Sequence, residues 1–168
     1  MTDIVRIIDP SDVLSDVEKV FSEEKIKILL LLPTADVEHI GGTSIPGLLT
    51  KGDLDINVRV EAGEYGAAVE VLKSMYDINQ SENWADGDYA SFKSDKLKVD
   101  FGVQLTVKGA PHDFFLKFRD ILRANPALVG ELNALKQSFE GKPMDDYRKA
   151  KGEFIEKVLA QQASHKSF

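Results

Sequence analysis

The chain has no cysteine, so a disulfide framework, a thiolate zinc site and a thiol nucleophile are all excluded. Positive charge is in deficit. Its 21 Lys and Arg against 28 Asp and Glu give a formal net charge of −7, which argues against a general nucleic-acid binder, because counterion-releasing phosphate contacts need a basic surface. Long apolar runs are also missing: Ile28 to Pro33 falls far short of the ~20 residues that cross a bilayer. Early acids at Asp3 and Asp9 stand where an export signal has a basic start. Neither the Gly-x-Gly-x-x-Gly dinucleotide fingerprint nor the Gly-Lys-Ser/Thr triplet of a P-loop occurs. The 3 histidines are scattered and make no zinc site. What remains is a folded cytoplasmic protein with no membrane segment, its 43% apolar and 29% charged residues close to the globular norm. A length of 168 residues suits one domain, with a sheet core over about residues 1–110 and C-terminal helices over about 111–163 packed beside it.

Within that chain the apolar pattern changes period several times. After Ser11, a possible helix cap, Val13, Val17, Val20, Phe21, Ile28 and Leu29 follow helical spacing, up to the break at Pro33-Thr34. Val37 to Ile40 reads as a short strand leading into Gly41-Gly42. From Asp53 to Val60 polar and apolar residues alternate without exception, so Leu54, Ile56, Val58 and Val60 face the core while Asp53, Asp55, Asn57 and Arg59 share the other face. Glu61 to Tyr76 is helical, Asp77 to Asp88 mostly loop and Tyr89 to Lys93 a strand with a turn at Ser94-Asp95. Leu97 to Val107 alternates again, with Asp100, Gly102 and Gln104 on its polar face. Beyond Pro111, breaks at Asn125-Pro126 and Gly141-Lys142-Pro143 divide about three helices.

The chemistry sits on the two alternating segments. Acids at positions i and i+2 of a strand project to one side, ~6 to 7 Å apart along the chain. Unneutralised carboxylates that close repel, so a divalent cation is their natural partner, and Mg²⁺ favours a few carboxylates together with phosphate oxygens. If the two strands are neighbours, Asp100 completes a triad with Asp53 and Asp55 that suits two Mg²⁺ ions roughly 3.5 to 4 Å apart. Mn²⁺ is the natural substitute. Upstream, Gly41-Gly42-Thr43-Ser44 is separated from Asp53 by the ten residues Thr43 to Gly52 counted from Gly42. Its glycines let backbone N–H groups reach phosphate oxygens, with the Thr43 and Ser44 hydroxyls as added donors and Lys51 as a nearby cation. Lys151, on the last helix, is a further candidate for phosphate, against the plainer reading of a solvated charged face. His39 reads as a hydrogen-bonded structural histidine, and Phe114, Phe115 and Phe118 as core.

The apolar-Gly-Gly turn, the spacing, the Asp-x-Asp strand and the later apolar-Asp-apolar strand together resemble the nucleotidyltransferase superfamily of the polymerase-β type. The stretch Val37-Glu38-His39-Ile40-Gly41-Gly42-Thr43-Ser44-Ile45-Pro46-Gly47-Leu48 is similar to the signature of its GrpB-like family. Phe118 to Pro126 and Tyr147 to Lys151 through Phe154-Ile155 resemble that family's C-terminal helices, and the likeness spans about residues 15–160. It implies an α+β fold, a mixed sheet with flanking helices and a helical C-terminal part beside the cleft. The chain departs from the family with Gly41-Gly42 for Gly-Ser, Lys51-Gly52 for Lys-Pro, and Gln104-Leu105-Thr106 for His-x-His.

The function this implies is a Mg²⁺-dependent transferase that moves a nucleoside monophosphate from ATP or another nucleoside triphosphate to a hydroxyl of an unidentified small-molecule or protein acceptor. Asp53 and Asp55 bind both metals, Asp100 binds the catalytic metal and helps deprotonate the acceptor, and Gly41 to Ser44 cradle the phosphates. The alternatives are a non-catalytic nucleotide-binding module and a metal-dependent phosphohydrolase using the same acids.

Overall fold

The computed structural model describes residues 4–8, 11 and 13–165, with side chains to 162; Asp3, Asp9 and Pro10 lie outside them. Helix α1 (Leu14–Leu31) buries Val17, Val20 and Ile28. Its cap is Val13, with no side-chain cap bond, instead of the expected Ser11. Glu24 falls in the same stripe and is 3% exposed. Its carboxylate is satisfied there by the Tyr76 hydroxyl and the Lys27 ammonium, both at 2.9 Å, as a buried charge requires.

Strands β1 (Asp36–Ile40), β2 (Leu54–Val60), β3 (Asp77–Ile78), β4 (Tyr89–Ser94) and β5 (Phe101–Val107) form one sheet in the order β1-β2-β5-β4-β3. Only β2 and β5 pair in parallel, which makes the sheet mixed. Helix α2 (Tyr65–Met75) follows β2. As the alternation demands, Leu54, Ile56, Val58 and Val60 are all at or below 1% exposure and form a core with Val17, Ile28, Ala68 and Leu72. The α1 and α2 helices therefore cover one face, and the polar residues are left on the other.

Two expectations need correction. The mostly loop segment from Asp77 opens with β3, whose two residues pair with Lys93 and Phe92. The later alternating strand starts at Phe101, not Leu97, because β4 pairs with β5 only as far as Ser94↔Phe101 and residues 95–100 make the turn between them. Helices α3 (Phe115–Arg123), α4 (Pro126–Phe139) and α5 (Met144–His165) occur where the Pro and Gly breaks place them. They share a second core of Ile45, Leu48, Phe118, Leu122, Leu132 and Val158, so the loop after the glycine turn is packed into the helical part. Among the described residues no helix is long and apolar enough to cross a membrane.

Candidate active site

The parallel pairing of β2 with β5 sets Asp55 beside Gly102, and the Leu54 N–H donates to the Asp100 carbonyl at 2.8 Å. Asp53, Asp55 and Asp100 consequently line one open cavity of about 590 Å³. They are not equivalent within it. Asp53 lies 3.5 Å from the Lys51 ammonium. Asp55 is half-buried, and no donor among the described residues bonds its carboxylate. Burial first, and then the neighbouring Asp53, push Asp55 up from an ordinary 3.8 to about 7, against the pull of Lys151, Lys51 and Lys136. Asp100 precedes β5, so strand alternation does not aim its side chain, and it is exposed. Its neighbour Lys98 pairs instead with Asp16 at 3.0 Å.

Among the described residues no three His, Asp or Glu side chains are gathered closely enough to hold one metal ion. The donor set fits a cation bound by two carboxylates, Asp53 and Asp55, with remaining ligands from phosphate and water, as Mg²⁺ prefers. A desolvated carboxylate with no partner of its own is the observation behind that fit.

Two glycines clasp the Asp55 carboxylate. A Cβ on Gly41 would lie 2.5 Å from Oδ2, and one on Gly102 would lie 3.1 Å from Oδ1. Gly41 also has φ +78°, in the left-handed region. The chain then turns through Gly42–Ser44 as a single 3₁₀ turn closed by Ser44 N–H to the Gly41 carbonyl at 3.0 Å.

The side chains of that turn face inward. The Thr43 hydroxyl donates to the Asp53 carbonyl at 3.0 Å and meets His39 Nε2 at 2.8 Å, while Ser44 Oγ donates to the Gly41 carbonyl at 2.6 Å. Both residues are buried. The hydroxyls expected to assist phosphate binding are thus engaged in shaping the turn. The N–H groups of Gly42 and Thr43 have no acceptor among the described residues.

Sequence reasoning missed the most buried cation of the site. Lys136 on α4 is 7% exposed, donates to the Leu49 carbonyl at 2.5 Å, and has its Nζ 3.2 Å from where a Gly42 Cβ would stand. Burial, and then Lys151, lower it to about 7. Its signal was present in the sequence, since it continues the stripe Val129, Leu132 at helical spacing. Lys51, Lys136 and Lys151 line a small recess with Gly42 and Tyr147, whose buried hydroxyl has no hydrogen-bond partner. Lys51 and Lys151 therefore stand beside Asp53 and Asp55.

The helical part grips the turn through its backbone. Arg119 donates to the Glu38 carboxylate at 2.9 Å and the His39 carbonyl at 3.0 Å, Arg123 to the Ser44 carbonyl at 3.0 Å, and Asn133 to the Gly47 carbonyl at 2.9 Å. Arg119 is 9% exposed, so it is a buried clamp and not a solvated charge. His39 is structural as expected: burial, then Arg123 and Arg119, lower it to about 4. A third cavity, of about 170 Å³, lies between the sheet and these helices, walled by Ile40, Ile45, Phe115, Phe118 and Leu132 and reaching Asp55 and Lys151. Phe115 thus faces a cavity in addition to packing on Phe114.

Comparison with known proteins agrees with this architecture. The family model described as GrpB protein matches residues 9–161. A UPF0157 protein of Vibrio cholerae is 38% identical over 144 residues, covering 86% of this chain and 76% of its own length. The UPF0157 protein YqkA of Bacillus subtilis is 30% identical over 142 residues, covering 80% of this chain and 41% of its own. Among solved structures, the conserved protein GrpB from Enterococcus faecalis superimposes with a TM-score of 0.71 at 22% identity, over 95% of this chain and 99% of that one. The Cid1 poly(U) polymerase, in a structure bound to MgATP, gives 0.53 at 11% identity over 77% of this chain and 42% of its own. These two likenesses establish a nucleotidyltransferase-type fold.

Proposed function

This chain belongs to the GrpB family, and from that premise we propose that it transfers a nucleoside monophosphate from a nucleoside triphosphate, most simply ATP, to a hydroxyl of a second molecule. The observation that carries the reading is that three cavities of different chemistry meet at Asp55. One is open and polar, one is apolar, and one is lined by lysines. In-line displacement at an α-phosphorus needs this division: an acceptor on one side, a leaving pyrophosphate on the other, and a nucleoside held laterally.

In this arrangement the nucleoside occupies the apolar pocket against Ile40, Phe115 and Phe118. The β and γ phosphates lie along the free N–H groups of Gly42 and Thr43, toward Lys51, Lys136 and Lys151. The acceptor oxygen attacks the α-phosphorus from the open cavity, the bond to the bridging β-phosphate oxygen breaks, and pyrophosphate leaves with that electron pair. Asp100, at the cavity's edge, takes the acceptor's proton. Lys136 and Lys151 neutralise charge that builds on the leaving group. Asp53 and Asp55 would hold Mg²⁺, or Mn²⁺ in its place, which supplies charge neutralisation at the phosphates.

The test uses ATP labelled at the α-phosphate, with Mg²⁺ and a panel of hydroxyl acceptors. Labelled conjugate plus pyrophosphate supports transfer. Inorganic phosphate released without any acceptor identifies a phosphohydrolase, and ATP binding with neither product identifies a binding module.

A further inference from the structure

On the polar face of the sheet, the half formed by β5, β4 and β3 carries one row of residues leading away from Asp55. The strand registers set Asp55 beside Gly102, Gly102 beside Lys93, and Lys93 beside Asp77. A parallel row runs from Asn57 through Gln104 to Ser91. These residues from Asp55 to Asp77, with Gln104 and Ser91, floor the 590 Å³ cavity. Gly102 is the decisive position, since a Cβ there would stand 3.1 Å from Asp55 Oδ1. Its missing side chain keeps a corridor open between the row and that carboxylate.

We infer that this half-sheet is the acceptor subsite, and that its acceptor is a small hydroxyl-bearing molecule carrying an amine, not a nucleic-acid strand. The inference rests on the nucleotidyl-transfer reading. Size supports it, because 590 Å³ lies within the range of small-molecule pockets. Charge supports it as well. Asp77 and Asp95 line the outer cavity and have no ion-pair partner among the described residues, while Arg148 is held by Asp145 at 3.0 Å and Lys51 by Asp53. Among the described residues Lys93 is left as the one cation of the lining without an ion pair, too little for a phosphodiester backbone.

Hydroxyl recognition comes from two hydrogen-bonded pairs of polar side chains that line the cavity. Asn79 Nδ2 can only donate, and does so to Ser91 Oγ at 3.2 Å. Beside it, the Tyr89 hydroxyl donates to Gln104 Oε1 at 2.5 Å. The Gln104 side-chain oxygen accepts that bond, and no acceptor among the described residues takes its amide NH₂, a donor on a residue that lines the cavity. The Tyr89 ring is held in this role by stacking on His112 at 4.8 Å, which Asp88 fixes at 2.5 Å.

The experiment titrates 2-deoxystreptamine, and separately a single-stranded oligouridylate, into the isotopically labelled protein carrying Mg²⁺ and a non-hydrolysable ATP analogue. Backbone amide shifts are followed by NMR, and analogue binding itself is measured first by calorimetry. The expected result is shifts at Ser91, Lys93 and Gly102 with the aminocyclitol and none there with the oligonucleotide. The Asp77→Asn, Asp95→Asn double variant is expected to bind the aminocyclitol roughly threefold to tenfold more weakly with analogue affinity unchanged. Analogue binding together with oligonucleotide shifts at these residues, or with no aminocyclitol shifts there, overturns the inference while the transferase reading stands. Failure of the analogue to bind overturns both.

Discussion

Replacing Asp55 by Asn should stabilise the metal-free protein above neutral pH. In the unfolded chain this carboxyl ionises near an ordinary 3.8, whereas burial beside Asp53 raises it to about 7 in the fold. Between those values the folded state binds the extra proton, so stability falls as pH rises through the window and the loss is complete above about 7. A displacement of that size corresponds to about 4 kcal/mol as an upper bound, since a partly accessible carboxylate keeps some hydration. Asparagine keeps the shape and carries no charge. Urea unfolding of both proteins in EDTA, from pH 4 to pH 8.5, should show equal stability at the acid end and a gap opening toward the variant as pH rises. His39 titrates with the opposite slope but is common to both, so the difference isolates Asp55. Mg²⁺ at pH 8 should then raise the wild type and leave the variant unchanged. Parallel curves over the whole range would mean that Asp55 is neither desolvated nor repelled by Asp53, and the reasoning would fail.

Other consequences follow from the same geometry. Gly41→Ala puts a Cβ 2.5 Å from Asp55 Oδ2 at a φ of +78°, and should cost at least about 1 kcal/mol in urea unfolding and weaken ATP–Mg²⁺ binding in calorimetry. Lys136→Met should lower affinity for ATP about tenfold while leaving adenosine affinity unchanged, a ratio that separates phosphate binding from general damage. The His39 ring should stay neutral until about pH 4 by NMR titration, and its contribution to stability should be lost as pH falls from about 6.5 through that value.

The parts of this architecture set by local pattern were legible in the sequence. Strict alternation from Asp53 to Val60 defined β2, its buried face and the side on which Asp55 lies. Breaks at Pro126 and Pro143 marked the helical part. What could not be read depends on contacts between distant segments. The turn at residues 95–100 is set by where β4 stops pairing with β5, so alternation extended the strand too far, although Asp100 still lines the cavity with Asp53 and Asp55. Thr43 and Ser44 looked like phosphate donors because their partners, the Asp53 carbonyl, His39 and the Gly41 carbonyl, are brought together only by the folded turn. The clamp of Arg119 on Glu38 was not legible because the two lie 81 residues apart in sequence. Lys136 was legible, since a lysine inside an apolar stripe is costly to bury without a purpose.

The central claim is that Asp53 and Asp55 form a cation site serving a triphosphate held at Gly42 and the lysines. It is tested most directly by a crystal structure with Mn²⁺ and a non-hydrolysable ATP analogue, read by anomalous scattering. The account predicts a metal peak between the Asp53 and Asp55 carboxylates, with the β and γ phosphates over the Gly42 and Thr43 N–H groups. A bound analogue with no metal at these carboxylates, or with its phosphates directed away from Lys136, would contradict it.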